Sequence, residues 1–497
     1  MSASRGVPIV LTADRTLTAD YPTLFGGMVA SSQTTTTPAP IMNGLLARRS
    51  SIAVAPMGLR RIEAALRADG FSGDEIEVIA PERLSEMVGP RTRVIGVSAG
   101  EACGLGMNST TMTAIAGGEI YPRRKVRDLM DRIAALRVRA PEARVILGGP
   151  GAWQLRARDD LRREMGIDHV VSGEAEGNVA QIFSVMIDGD DLPTHLEGET
   201  AAVEGIPPIR GPATMGIVEL SRGCGLGCRY CVMGRAPMRH LPQKTILADT
   251  QTNVEAGLPG IGVISEDTLR YAAEGIRPKP QRLLGLLRRM REIPGMGLIQ
   301  ADHANVISVA GWSDDELSEL RELMAGDSGC RYPWINLGVE AADGNLVASV
   351  GSGKLGEVDP ERWGDFAAEQ IRRLIRAGFM PMASLMLRLP GETADHVVEN
   401  LRWVDALADE PLTIFPMLYA PIDGGSVPSR ADLTPRHWRL IQRCYDVNFR
   451  QVPRMFWDAQ AAVGVPLSRR IALHALGYGQ VALWSALFTW RRWRAAS

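Results

Sequence analysis

Three observations predict an α/β protein made of two parallel-sheet domains and a helical C-terminal region. Short apolar runs alternate with amphipathic helical patterns through most of the chain. A polar stretch at 187–214, punctuated by glycine and proline, interrupts the alternation, and a second series starts after it. From about Asp432 the strand signals stop and helical spacing takes over. Limits of 1–190, 215–430 and 431–497 follow for the three regions, with 191–214 as a linker.

In the first region the runs Ile9–Leu11, Ser51–Ala55, Glu77–Ile79, Val94–Ser98 and Val145–Gly148 are rich in β-branched residues and read as strands. Helical patterns such as Leu59–Ala68 and Arg123–Leu136 lie between them. Strands separated by helices imply a doubly wound sheet whose ligand sits beyond the carboxyl ends of the strands. In the second region the candidate strands are Gly216–Leu220, Gly262–Ser265, Gly297–Ala301, Ile335–Glu340, Ala383–Leu387 and Thr413–Leu418. Lys279–Arg291 and Glu369–Ala377 are helical patterns in the intervals. Six βα units suit an incomplete parallel barrel, with chemistry at the C-terminal strand ends. The last region closes with the apolar stretch Ile471–Trp490, bracketed by Arg469-Arg470 and Arg491-Arg492. Its length suits a membrane span; a buried helix closing the barrel and a helix lying on a bilayer surface are the other readings.

Bulk properties exclude several classes. The chain has 497 residues, is 45% hydrophobic and carries a formal net charge of -2, so nothing points to a polyanion partner or a nucleic acid. Met1–Asp20 holds no apolar run behind a basic start, so a cytoplasmic location is expected by default. Six cysteines in so long a chain do not make a disulfide framework.

Three of the six are clustered, in Ser221-Arg-Gly-Cys-Gly-Leu-Gly-Cys-Arg-Tyr-Cys231, directly after a predicted strand. A structural zinc site wants four ligands, and no fourth cysteine or histidine lies close by. Iron–sulfur cubanes also normally take four thiolates, so Cys224, Cys228 and Cys231 leave one iron open to a chelating substrate. Gly223, Gly225 and Gly227 let the backbone wrap tightly, with amides free to point at sulfide. Zinc binding and coincidence are the competing readings. Cys103, Cys330 and Cys444 are scattered and read as small buried apolar residues.

The C-x3-C-x2-C loop resembles the radical S-adenosylmethionine (SAM) superfamily. The resemblance implies a partial (β/α)6 barrel, a [4Fe-4S] cluster on the three cysteines, and methionine chelating the fourth iron. It places Tyr230 near the adenine, Ser265 and Glu266 at the methionine amino group, and Glu340 at the ribose. Leu389-Pro-Gly-Glu-Thr393 matches a turn many members carry. The plainer alternatives are turns and helix caps, with Asp267 and Thr393 as N-caps.

A flavodoxin-like (Rossmann) domain ahead of such a barrel resembles the cobalamin-binding class of that superfamily. Gly148 and Gly149, in Val145-Ile-Leu-Gly-Gly-Pro-Gly-Ala-Trp153, then match the glycines beside the cobalamin nucleotide tail, and Ser98 a strand-end position near it. Glycine at a strand end is by itself weak evidence. One departure is plain: where many cobalamin domains carry Asp-x-His-x-x-Gly, this chain reads Ser98-Ala-Gly-Glu-Ala-Cys-Gly-Leu-Gly106, with no histidine. Cobalt would then lack a protein base below it, or the domain would be a scaffold that has lost the cofactor. Leu11-Thr-Ala-Asp-Arg-Thr-Leu17 and Ile264-Ser-Glu-Asp267 resemble, more distantly, a branch with the anaerobic magnesium-protoporphyrin ester cyclase and archaeal tetraether lipid synthase. The scattered cysteines do not equip the chain for the latter's additional clusters.

The resemblance implies a cobalamin-dependent methyltransferase acting on an unactivated carbon, reached through a 5′-deoxyadenosyl radical. The alternative is a radical cyclase or carbon–carbon coupling enzyme on a lipid- or tetrapyrrole-like substrate. A third reading is a non-catalytic cluster protein. The partners implied are a small, hydrophobic substrate, a one-electron donor such as flavodoxin or ferredoxin, and a membrane surface met by the C-terminal helix.

Overall fold

The computed structural model describes residues 6–47, 51–156, 158–422 and 427–496, with the side chains of 491–496 excepted. The chain forms two compact units. The first comprises Met1–Tyr21, Gly27–Val218 and Leu241–Leu258, and the second Pro22–Gly26, Glu219–His240 and Pro259–Ser497.

The first unit is built on six parallel strands: β1 (Ile9–Ala13), β2 (Ile76–Val78), β3 (Val94–Ser98), β4 (Arg144–Gly148), β5 (His169–Ser172) and β6 (His195–Glu197). Their spatial order is β2-β1-β3-β4-β5-β6, a flavodoxin-like winding with one further edge strand. Alternation along each strand feeds two apolar layers. Val10, Ile95, Val97, Val145, Leu147 and Val170 pack with Val126, Leu129, Met130 and Ile133 on one face. Ile9, Leu11, Val94, Ile146 and Val171 pack with Leu59, Leu66, Ile182 and Phe183 on the other. A sheet buried on both faces explains why these strands read as continuous apolar runs.

Ser51–Ala55 is not a strand. Only Ala55 makes a bridge, to Ala213. Residues 191–214 are not a free connector either. Pro207 and Pro212 carbonyls accept from Arg61 (2.6 Å) and Arg60 (3.1 Å), and Thr214 Oγ1 donates to the Leu17 carbonyl. The helix Gln243–Glu255 also packs in this unit. Its Asp249, fully buried, pairs with Arg61 at 2.6 Å and accepts from the Ile209 amide.

The second unit follows β7 (Ile217–Glu219), beyond which the Leu220 amide donates to the Ile264 carbonyl. Its strands are β8 (Gly260–Ile264), β9 (Leu298–Ala301), β10 (His303–Asn305), β11 (Trp334–Glu340), β12 (Met380–Leu387) and β13 (Thr413–Leu418). β8 pairs with β9, β10 with β11, β11 with β12 and β12 with β13, all in parallel. Asp302 splits what the sequence presents as one strand. Its amide donates to Val263 on one side, and its carbonyl accepts from Asn336 on the other. Helices Pro280–Arg291, Asp314–Ala325, Trp363–Arg376 and Ala394–Leu407 fill the crossovers. Trp363 and Ile371 are fully buried, and this explains why the third of these starts six residues before the predicted pattern.

After Asp432 come two long helices, Pro435–Ala462 and Leu467–Ala496. Tyr445 and Phe449 of the first meet Phe488 of the second at ring distances of 4.8 and 6.4 Å. The segment Leu467–Trp490 is long and apolar enough to cross a membrane, and only 11% of its most apolar window is buried. It is therefore not the core helix that one reading allowed.

Candidate active site

The three clustered cysteines lie on a loop that its own backbone dictates. Gly223, Gly225 and Gly227 all have φ between 71° and 74°, the left-handed region. A side chain at Gly223 would run into the Pro237 carbonyl and stand 2.8 Å from that of Ala236. The Cys224 amide donates to Met233 O (2.9 Å), the Gly227 amide to Gly234 O (2.8 Å) and the Cys231 amide to Cys228 O (3.2 Å). From later in the chain, Gly351 closes against Cys228, and Val350 O accepts from the Arg229 amide.

Burial raises the thiol pKa of all three. For Cys231, burial and then the Glu266 carboxylate push it to about 11. Metal binding would have to expel those protons, as coordinating thiols do. Among the described residues no three His, Cys, Asp or Glu side chains converge on one ion. Three thiols on one loop match a cluster that takes one thiolate per iron.

The other predicted residues of this unit gather at the strand ends beside the loop. Ser265, after β8, shares a 2.5 Å hydrogen bond with Ser221 Oγ and accepts from the Asp267 amide. Burial holds the Glu266 carboxyl above its ordinary range, and His303 opposes the shift. Desolvation would lower the His303 pKa, though its side chain is half exposed, and Asp302, at 2.9 Å, and Glu266 push it up to about 9. Glu340 ends β11 with φ 69°, a strained left-handed backbone for a residue with a side chain. It is buried, and its Oε1 lies 2.5 Å from Lys354 Nζ. Burial would lower the Lys354 pKa, but Glu340 and Cys228 hold it above the usual lysine range. Tyr230 is buried with no hydrogen-bond partner for its hydroxyl in the described structure, 6.4 Å ring to ring from Tyr419. Its phenol is raised by burial, then by Glu340 and Cys228. The buried, strained Glu340, the half-buried Glu266 and the buried Tyr230 hydroxyl beside three cysteines make a polar cluster that suits a zwitterionic ligand.

Asp267 is not the N-cap its position suggested. Its side chain caps nothing, and instead accepts from Arg270 Nε (2.7 Å), Asn305 Nδ2 (3.0 Å) and Ser308 Oγ (2.6 Å). Thr393 does cap, accepting from the His396 amide, and Glu392 of the same turn holds His437 at 2.7 Å. Sequence reasoning missed Lys354, Arg270 and Asn305. The Asp267–Arg270 spacing of three was a local hint; Lys354 and Asn305 gave none.

In the first unit Ser98 and Gly148 are register partners at the ends of β3 and β4. Gly149 has φ 91°, and a Cβ there would lie 2.7 Å from Ser98 Oγ and 3.0 Å from Ala99 O. That glycine is thus required by the chain's own packing. A Cβ on Gly148 would meet only Val171 O, at 3.9 Å, and one on Gly173, past β5, nothing within 4 Å. These two leave the carboxyl edge of the sheet open to a bulky ligand. Where a histidine loop is absent, half-buried Glu101 accepts from Gln154 (2.8 Å), whose carbonyl oxygen takes the Cys103 amide (2.7 Å). The loop is braced and offers no imidazole. Cys103, Cys330 and Cys444 are all buried, as expected.

No family model matches the chain. It is 24% identical over 213 residues to the ribosomal protein uS12 methylthiotransferase RimO of Leptospira biflexa, covering 42% of each chain. It is 23% identical over 331 residues to RimO of Trichlorobacter lovleyi, covering 63% of this chain and 68% of the relative. The match thus spans less than half of the Leptospira protein. Among solved structures, the radical S-adenosylmethionine methyltransferase TsrM of Kitasatospora setae, with cobalamin and a [4Fe-4S] cluster bound, superposes with a TM-score of 0.54 at 15% identity. This match covers 84% of this chain and 77% of TsrM. TsrM with tryptophan and the SAM analogue aza-SAM gives 0.55 at 16% identity, covering 84% and 75%. The chain therefore has the mixed α/β fold, with parallel sheets, of that radical SAM methyltransferase.

Proposed function

We propose that this chain is a radical SAM enzyme that transfers a methyl group to an unactivated carbon with the help of cobalamin. The observation that carries the reading is the Cys224–Cys231 loop, with Cys224 and Cys228 buried and Cys231 half-buried, and Glu266, Glu340, Lys354 and Tyr230 beside it. The fold shared with TsrM supports it. When bound, the cluster supplies one electron for cleaving SAM to a 5′-deoxyadenosyl radical, and cobalamin supplies the methyl group. Cys224, Cys228 and Cys231 hold the cluster. Ser265 and Glu266 receive the methionine ammonium, Glu340 the ribose, and Tyr230 lines the adenine side. Lys354 pairs with the Glu340 carboxylate and orients it. Ser98, Gly148 and Gly149 would bound the edge where the cobalamin tail enters. The donor is a flavodoxin- or ferredoxin-type protein, the setting cytoplasmic, and the exposed Leu467–Trp490 helix touches a membrane surface.

The test is anaerobic reconstitution with iron, sulfide and hydroxocobalamin, then a dithionite assay for 5′-deoxyadenosine with methyl-labelled SAM. The reading expects a cluster, bound cobalt and labelled product, all cleavage vanishing in the Cys224→Ala, Cys228→Ala, Cys231→Ala triple variant. Cleavage without cobalt or label transfer would replace methylation by cyclisation or coupling. No cluster and no cleavage would end the radical reading.

A further inference from the structure

We propose that Arg270 and Asn305 set the ease of reducing the cluster through the sulfur of Cys224, with Asp267 holding both donors in place. The inference rests on the assignment of the three cysteines to an iron–sulfur cluster. Arg270 sits on the short turn Thr268–Arg270 after β8, and is buried. Its fork is divided among several acceptors. Nε donates to Asp267 Oδ2 at 2.7 Å, Nη1 to Gly275 O at 3.2 Å, and Nη2 to Cys224 O at 2.7 Å and Cys224 Sγ at 3.4 Å. Asn305 Nδ2 donates to the same Asp267 oxygen at 3.0 Å and approaches Cys224 Sγ at 3.8 Å. Ser308 Oγ, at 2.6 Å, completes the shell around that oxygen. Asp267 itself is wholly buried.

A guanidinium can serve a carboxylate on one edge and a sulfur on another because its donors are fixed in a plane; an ammonium cannot do both. The Asp267 carboxylate balances the charge of Arg270. What reaches the sulfur is therefore a directed N–H group from a neutral pair. Donation to a thiolate ligand withdraws electron density from it and favours the more negative, reduced cluster, so the potential rises. Burial strengthens the effect, since little water screens it. Asp267 and Arg270 are positioning and tuning residues and need not touch substrate. Asp267 also donates its amide to Ser265 Oγ, so the same loop serves the proposed SAM subsite.

The experiment is a redox titration followed by electron paramagnetic resonance on reconstituted wild-type, Arg270→Gln, Arg270→Lys and Asn305→Ala proteins without SAM. In each step dithionite gives up one electron and the cluster accepts it; no bond breaks. Arg270→Gln is expected to hold the same iron while its reduced-to-oxidised ratio at fixed potential falls about tenfold, which is 59 mV for a one-electron couple. Arg270→Lys should fall between, and Asn305→Ala should show a smaller drop. Full iron with an unchanged ratio in Arg270→Gln overturns the proposal. If that variant loses its cluster, an unchanged ratio in Asn305→Ala overturns it instead. A wild-type protein that binds no iron removes the cluster assignment and this inference together.

Discussion

Replacing Gly223 by alanine tests whether the cysteine loop is shaped by its backbone. Two costs arise at that position. The residue has φ 74°, where an L side chain costs about 1–2 kcal/mol. The new methyl group also meets the Pro237 and Ala236 carbonyls, which are backbone and cannot swing aside; forcing such a contact costs about 1–3 kcal/mol more. Gly227 provides the control. Its φ is 73°, yet a Cβ there has no neighbour within 4 Å, so only the first cost applies. Gly223→Ala should therefore be worse than Gly227→Ala by about 1–3 kcal/mol. The assay is iron and sulfide content after anaerobic reconstitution, with a thermal melt of each apoprotein. Gly223→Ala is expected to lose most of its iron and melt lower, and Gly227→Ala to keep most of it. Equal iron and equal melting in the two variants would refute the argument that the Pro237 turn fixes the loop.

Other outcomes follow from buried charge and exposed apolar surface. Burial raises Asp14 from 3.8 to about 6, so the folded state prefers the protonated acid. Any stability due to that preference is full below pH 3.8 and lost as pH rises through 6. Asp14→Asn should then gain on the wild type between those values, by at most about 3 kcal/mol at neutral pH; parallel stability–pH curves would contradict this. Asp249→Asn strands the buried Arg61 guanidinium and should cost about 3–5 kcal/mol in urea unfolding, whereas Arg61→Met with Asp249→Leu should recover much of the loss. A single-variant cost under about 1 kcal/mol would show the pair to be unimportant. Leu476 and Leu483 are 47% and 63% exposed on the last helix. Leu476→Glu with Leu483→Glu should abolish co-flotation with anionic vesicles and leave the melt unchanged; a wild-type protein that stays with the buffer sinks the membrane contact.

The parallel sheets were readable because both their faces are buried. Runs such as Val94–Ser98 and Val145–Gly148 carry no polar residue but the terminal Ser98 to blur them. Edge strands were harder. His195–Glu197 has three residues, of which only Leu196 is apolar and none is fully buried, so its apolar signal is weak. His303–Asn305 was hidden because Asp302 interrupts the ladder with a polar residue. The opposite error arose at Ser51–Ala55, a β-branched run that lies along the proline-rich 207–213 segment without joining a sheet. At the candidate site, the cysteines and the acids at strand ends were visible in one dimension. Lys354 was not, because its meeting with Glu340 depends on a turn that returns the chain to the end of β11. The Asp267 network was misread for a similar reason. A short acid before a turn usually caps it, and here three donors from three elements compete for that oxygen and win.

The closure of the cysteine loop by Val350 and Gly351 has a consequence for how the protein matures. The wall against Cys228 comes from about 120 residues further along the chain, and at Gly351 even a methyl group would lie 3.0 Å from Cys228 Cα. A ribosome adds roughly 5–20 residues per second, so the thiols emerge many seconds before their enclosure exists. During that interval they are open to oxidation and to stray metals. For the cluster proposed above, orderly assembly would have delivery wait until β11 has folded and Gly351 has docked. A chain cut short before residue 350 would display all three cysteines and still lack the wall that closes against Cys228.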